Sequence, residues 1–241
     1  MTIHMGFTAP STLQDRCAIA PVDLVHDEPE YDAQALLPAS DWETVTPEQI
    51  KELISSTCPV DGALVEIVRP RFTAPRHDAP DDEISGFDPF QGRWSSWFVG
   101  FVDNPAGQVT TTVDTTTGRR IGVHLDNFDR LPTVRRAESR RRLAINLGPG
   151  SRYVVLAMDD IQEISRAQGS TASYPHTNDI RRYVHEGGRL RCLRIRLDPG
   201  EGYIAPTELI PHDGSTWGMR ASSRIAFWLG HWPAGVLPTL I

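Results

Sequence analysis

From Trp94 to Leu229 apolar residues come in short runs separated by clusters of Gly, Pro, Asn and Asp. That rhythm predicts antiparallel strands rather than the strand–helix–strand units of a parallel sheet. The expected strands are Trp94–Val102, Gln108–Asp114, Arg120–Leu125, Arg141–Leu147, Arg152–Met158, Leu190–Leu197, Gly202–Pro206 and Ser223–Leu229. Turns between them are expected at Asn104-Pro105-Ala106-Gly107, Gly148-Pro149-Gly150-Ser151 and Asp198-Pro199-Gly200-Glu201. Two helical patches interrupt the series, Asp159–Gln168 and Asn178–Glu186, the second stopped by Gly187-Gly188. Upstream, Thr46-Pro47-Glu48-Gln49 reads as a helix start, with Thr as N-cap, Pro at the first helical position and Gln at the reciprocal capping site. Ile50, Leu53 and Ile54 supply its apolar face, giving a helix over about 47–57. Residues 1–46 are acidic and proline-bearing and read as an arm laid over the domain or partly disordered, and 69–92 as a loop.

Such a series predicts a mainly β fold with flanking helices, a jelly-roll or cupin-like double sheet that removes long exposed edges by folding two sheets together. The expected division is an acidic arm with helical support over 1–93 and a core over 94–241 carrying a helical insert at 159–188, all in one structural domain. The 241 residues, with six Trp and eight Phe, suffice for one substantial core, and 19 Gly, 19 Pro and three Cys exclude collagenous and disulfide-dense classes. Charge changes the picture more. Residues 1–90 carry net −12 and residues 91–241 net +5, and all basic residues but Lys51 are arginines. A basic half invites a nucleic-acid partner, but the whole chain is acidic and no recognition module accompanies the densest run, Arg135 to Arg142. That run is expected to face the acidic N-terminal half. Cys17, Cys58 and Cys192 show no CxxC spacing, which fits a reducing cytoplasm, and no segment has the length of a membrane span. Neither nucleic acid nor membrane is therefore an expected partner, and a homodimer stays open.

Familiar catalytic motifs are missing. Gly148-Pro149-Gly150 lacks the third glycine and the following helix of a dinucleotide loop, and neither a GxSxG elbow nor a P-loop occurs. The informative group is His124-Leu125-Asp126, because residues i and i+2 of a strand share a face and can hold one metal ion together. A second His-x-acidic group, His26-Asp27-Glu28, lies in an acidic, proline-bearing stretch, whereas His124 ends the apolar run Ile121-Gly122-Val123. Farther on, the turn-strand run Pro199–Pro206 precedes His212, and Ser223–Leu229 is an alternating strand that begins beside Arg224. Two histidines and one carboxylate leave open coordination positions on a mononuclear iron.

In the order His-x-Asp, distal His, then Arg, residues 94–232 resemble the Fe(II)- and 2-oxoglutarate-dependent oxygenase superfamily, in particular its small bacterial members that act on free metabolites. The resemblance implies a double-stranded β-helix, Fe(II) held by His124, Asp126 and His212, and 2-oxoglutarate as cosubstrate with its far carboxylate on an arginine. O2 and a small-molecule substrate would be the partners, with succinate and CO2 released. Arg220 and Arg224 flank the expected position of that arginine. Arg224 is preferred, because alternation places Arg224, Ala226 and Trp228 on one face of a strand and Ile225, Phe227 and Leu229 on the other.

Two rivals use the same residues differently. A cupin-type metalloenzyme, an epimerase or a dioxygenase independent of 2-oxoglutarate, would keep the metal ligands and need neither arginine. A non-enzymatic jelly-roll module for a small ligand would leave His124 and His212 far apart. His231 is an alternative distal histidine, while His176 and His185 fall in the helical insert. Trp94, Trp97 and Phe98 read as core, Arg120 and Asn146 as residues able to face the cavity, and Arg152 as either a salt-bridge partner or a ligand contact.

Overall fold

The computed structural model describes residues 3–6, 15–53, 64–71, 73–169 and 174–240. Two sheets face each other. One contains β1 (His4–Gly6), β5 (Leu64–Val68), β6 (Trp97–Asn104), β8 (Arg141–Pro149), β11 (Gly202–Ala205) and β13 (Ser223–Gly230), in the spatial order β1-β5-β11-β8-β13-β6. The other runs β12 (His212–Ser215), β9 (Arg152–Ala157), β10 (Arg191–Leu197), β2 (Cys17–Leu24), β3 (Tyr31–Pro38) and β7 (Arg120–Gly122), with β4 (Glu43–Thr44) paired to β2. From β6 onward the chain passes repeatedly between them: β6, β8, β11 and β13 lie in the first sheet, and β7, β9, β10 and β12 in the second. The fold is therefore mainly β, with a few flanking helices.

Packing explains why the core strands read as nearly unbroken apolar runs. On β8, Leu143, Ile145 and Leu147 join Trp228, Trp232, Phe90 and Ile84 in a cluster on the outer face of the first sheet, beneath α2 (Asp81–Gly86). Ala144 instead joins Tyr203, Ile225, Leu156 and Leu193 in the larger core that draws on both sheets. A strand covered on both faces loses the polar half of its alternation. The larger core continues to Ile161 and Ile164 of α3 (Ile161–Ala167) and Ile180 of α4 (Thr177–His185). These two helices match the patches expected in the insert.

The first ninety residues differ from the expected arm. β2 is hydrogen-bonded into the second sheet, Ala18 opposite Arg194 and Ala20 opposite Cys192, and β5 into the first, Ile67 opposite Tyr203. The acidic half thus extends both sheets. Pro21 disguises β2 in the sequence, yet it sits where pairing passes from β10 to β3, and its carbonyl accepts from the Ala39 amide. Downstream, α1 (Pro47–Leu53) begins with the expected reciprocal cap: Thr46 Oγ1 accepts from the Gln49 amide and Gln49 Oε1 from the Thr46 amide. The end of that expected helix and Cys58 lie outside the described residues.

A second difference concerns Gln108–Asp114, expected as a strand. Only Val113 makes a bridge, to Arg120. The amides of Thr111 and Thr112 donate instead to the carboxylate of Asp213, at 3.1 Å each, and a side chain takes the place of a ladder strand. Conversely, β12 carries no hydrophobic alternation in the sequence His-Asp-Gly-Ser, but it pairs along β9 from His212 opposite Leu156 to Ser215 opposite Tyr153.

Candidate metal centre

His124 follows β7, and its amide and carbonyl pair with those of His212, the first residue of β12. This bridge brings two histidines from distant parts of the chain side by side, their ring centroids 4.7 Å apart. Asp126, one pleat beyond His124, completes the group, and the three can each offer a ligand atom within 4.8 Å of the others. All three side chains are buried.

Backbone carbonyls orient both rings. His124 Nδ1 lies 2.9 Å from Gly122 O and His212 Nδ1 3.2 Å from Ile210 O. A carbonyl only accepts, so each Nδ1 carries the proton and each Nε2 is left with its lone pair, that of His212 facing Arg142 Nη1 at 3.3 Å. Burial pushes the His212 imidazole down to about 3, reinforced by the neighbouring His124 and Arg142, so it stays neutral. Burial also opposes a charge on His124, but Asp213, whose Oδ2 lies 3.6 Å from Nδ1, and Asp126 outweigh it and raise its pKa. Burial raises the pKa of Asp126 less than Arg142, His212 and His124 lower it, and its carboxylate is held ionised.

Arg142 closes one side. Its guanidinium lies 2.6 Å from Asp126 Oδ2 and 3.3 Å from His212 Nε2, between the rings of Phe128 and Phe227 at 5.5 and 5.1 Å. The Asp126 contact is close but not aligned as a hydrogen bond, so a buried carboxylate oxygen retains acceptor capacity. Two imidazoles and that oxygen form a donor set suited to a divalent transition metal, and the residues fit such an ion. The His124–Asp126–His212 group could therefore hold a metal.

The group borders a cavity of about 530 Å3, to which His212, Arg142, Tyr203 and Phe227 contribute walls. Arg152, Asn104 and Thr111 also line it, as do the exposed Val99, Val102 and Val113. A volume of this order suits small molecules.

Other residues singled out in the sequence lie elsewhere. Arg224 points to the outer face with Trp228 and forms a two-pronged pair with Asp103 at 2.7 and 2.6 Å, while Ile225 and Phe227 face the cavity. Alternation separates the two faces correctly but does not say which is inside, because both are covered. Arg220 is exposed, as are His26, His176, His185 and His231. Asn146 donates to Gly150 O and Leu197 O and supports a turn, and Arg120 pairs with Glu30. Trp97 is exposed beneath the Arg140 guanidinium, Trp94 is also exposed, and only Phe98 packs on the core, against Trp228.

The basic run resolves into separate partnerships. Arg135 pairs with Glu138, Arg136 with Glu208, Arg140 with Asp129, Arg141 with Glu66 and Arg142 with Asp126. Only Glu66 belongs to the acidic half, so the expectation of a surface facing that half is corrected. Sequence reasoning thus missed Arg142 as a neighbour of the metal group. Its one signal is a polar residue in the same alternating set as Ala144 and Asn146 on an otherwise apolar strand. A scan against protein-family models and a search of curated proteins gave no match to this chain.

Proposed function

We propose that this chain is a non-haem Fe(II)/2-oxoglutarate-dependent oxygenase on a double-stranded β-helix that oxidises a small-molecule metabolite, with release of succinate and CO2. The observation that carries the reading is the convergence of His124, Asp126 and His212 on one buried point beside a cavity. The passage of β6 to β13 back and forth between two sheets supports the β-helix. Buried free thiols at Cys17 and Cys192 support a reducing cytoplasm, and no helix among the described residues is long and apolar enough to cross a membrane.

Each residue has a defined task in this reading. His124 and His212 present Nε2 and Asp126 an ionised oxygen, and the carbonyls of Gly122 and Ile210 fix the rings so that little motion is needed on loading. When bound, Fe(II) would supply a redox-active cation with open positions for O2 and an oxo acid. Arg142, 2.6 Å from Asp126, would place a positive charge beside a bound cation's anionic ligands. Phe128 and Phe227 hold its guanidinium in place.

The rival with a specific observation in its favour is a cupin-type metalloenzyme that needs no 2-oxoglutarate, since neither Arg224 nor Arg220 reaches the cavity. A binding module with separated histidines is disfavoured by the 4.7 Å between the two rings. Anaerobic addition of Fe(II) and 2-oxoglutarate tests all three. A weak visible charge-transfer band is expected in the wild type and in His26→Ala, and none in His124→Ala. Bound iron without the band selects the cupin-type reading, and failure to bind metal selects the module.

A further inference from the structure

Arg152 opens β9 and is 2% exposed, yet among the described residues no carboxylate lies within 4.0 Å of it. Its partners are neutral. One terminal nitrogen donates to Asn104 Oδ1 at 2.7 Å and Ser223 Oγ at 3.4 Å, and the other to Thr111 Oγ1 at 3.2 Å. Asp213, the carboxylate whose charge acts on it, is committed elsewhere: Oδ1 accepts from Thr111, Thr112 and Gly214, and Oδ2 faces His124. An isolated buried cation is costly, and burial lowers this guanidinium to about 10, where it still carries its charge at neutral pH.

The fold makes room for it. Gly214 lies one pleat along β12 from His212, on the same face, and a Cβ there would collide with Arg152 and with Thr111 Oγ1. The same short strand thus carries a metal-ligand candidate and the gap that admits the guanidinium. Tyr203, buried on β11, lines the same cavity as His212, Arg142 and Arg152.

We infer that Arg152, seated in the gap left by Gly214, is the anchor for a carboxylate of an organic acid whose other end reaches the His124–Asp126–His212 group. The assignment rests on the metal reading above and moves the anchoring role from Arg224 to a residue of the opposite sheet. A guanidinium offers a carboxylate two parallel donors, and its buried charge supplies the attraction that its neutral neighbours do not. The ligand class is a dicarboxylic oxo acid when the metal is present and simple dicarboxylates when it is not.

Calorimetry on the full chain, loaded with Mn(II) under anaerobic conditions, tests this without turnover. 2-Oxoglutarate is expected to bind the wild type and Arg224→Met alike and to bind Arg152→Met about 10- to 100-fold more weakly, with Arg152→Lys between them. Mn(II) affinity, titrated separately, should be the same in all four. Succinate is also titrated into metal-free protein. Its binding to the wild type and not to Arg152→Met keeps the anchor even where 2-oxoglutarate is refused and the oxygenase reading falls. Unchanged affinity in Arg152→Met, a loss in Arg224→Met, or failure of the wild type to bind either acid overturns the anchor. If circular dichroism shows that Arg152→Met does not fold, Gly214→Ala decides. It keeps the charge but displaces it, and wild-type affinity in that variant also overturns the assignment.

Discussion

Arg136 and Arg152 are both shut away from solvent, at 0% and 2% exposure, but they keep different company. Arg136 lies against Glu208 at 2.9 Å and also donates to the carbonyls of Asp126 and Pro175 and to Asn127 Oδ1. Its charge is neutralised inside the protein, and its hydrogen bonds tie down the segment that carries Asp126. Arg152 has only amide and hydroxyl oxygens, and it lines a cavity. A buried cation that is paired serves the fold, whereas one left unpaired beside open space is poised for something that arrives from outside. The two regions therefore separate architecture from recognition with the same side chain.

The contrast can be broken most forcefully at Arg136. Arg136→Met leaves Glu208 buried and unpaired, and a loss of about 3–5 kcal/mol is expected in urea unfolding. Arg136→Met combined with Glu208→Leu should recover part of it; full additivity of the two losses would show that the ion pair is not what stabilises this region. Next in size is the response to ligand. At about 100 times its dissociation constant, an organic acid should stabilise the wild type by about 2.7 kcal/mol and Arg152→Met by far less. Equal stabilisation of the two proteins would erase the distinction between the regions.

Without ligand, Arg152→Met should cost only about 1–2 kcal/mol, because the hydrogen bonds lost are partly offset by removal of an uncompensated charge. A loss as large as that of Arg136→Met would place Arg152 with the architecture. Smallest is Arg224→Met, expected to shift stability by no more than about 1 kcal/mol, since its partner Asp103 is largely open to solvent. Hydrogen bonding to Arg224 lowers the Asp103 pKa, so the contribution is present above the ordinary carboxylate range and fades as pH falls through the lowered value. Acid titration of stability in Arg224→Met should lack this component.

What could be read in the sequence follows the range of the interactions involved. His124 and Asp126 share a face by local geometry alone, and the spacing announced them. The strands β8 to β11 and β13 carry apolar runs that any core would require, and the cap of α1 is written in four adjacent residues. Arg142 and Arg152 acquire meaning only when β8, β9 and β12 are assembled, because the groups they meet are distant in the chain. Arg224 failed as an inward-facing residue for a related reason: both faces of β13 are covered, so alternation leaves two equivalent answers. The strands β2 and β5 were hidden by the acidic residues and Pro21 around them, and the Thr111–Thr112 segment by a carboxylate that replaces ladder hydrogen bonds with side-chain ones.

The bridge between His124 and His212 also has a consequence in time. Its two halves, like Ala18 and Arg194 of β2 and β10, are joined only after a long stretch of chain has been made. Topologies dominated by such distant pairings fold slowly, since each loop must close before its contacts repay the entropy lost. A nascent chain that has not yet delivered β12 has His124 and Asp126 but neither the second imidazole nor the gap at Gly214. The His124–Asp126–His212 group and the seat of Arg152 therefore come into being together, at a late step of synthesis, when the four residues of β12 pair with β9.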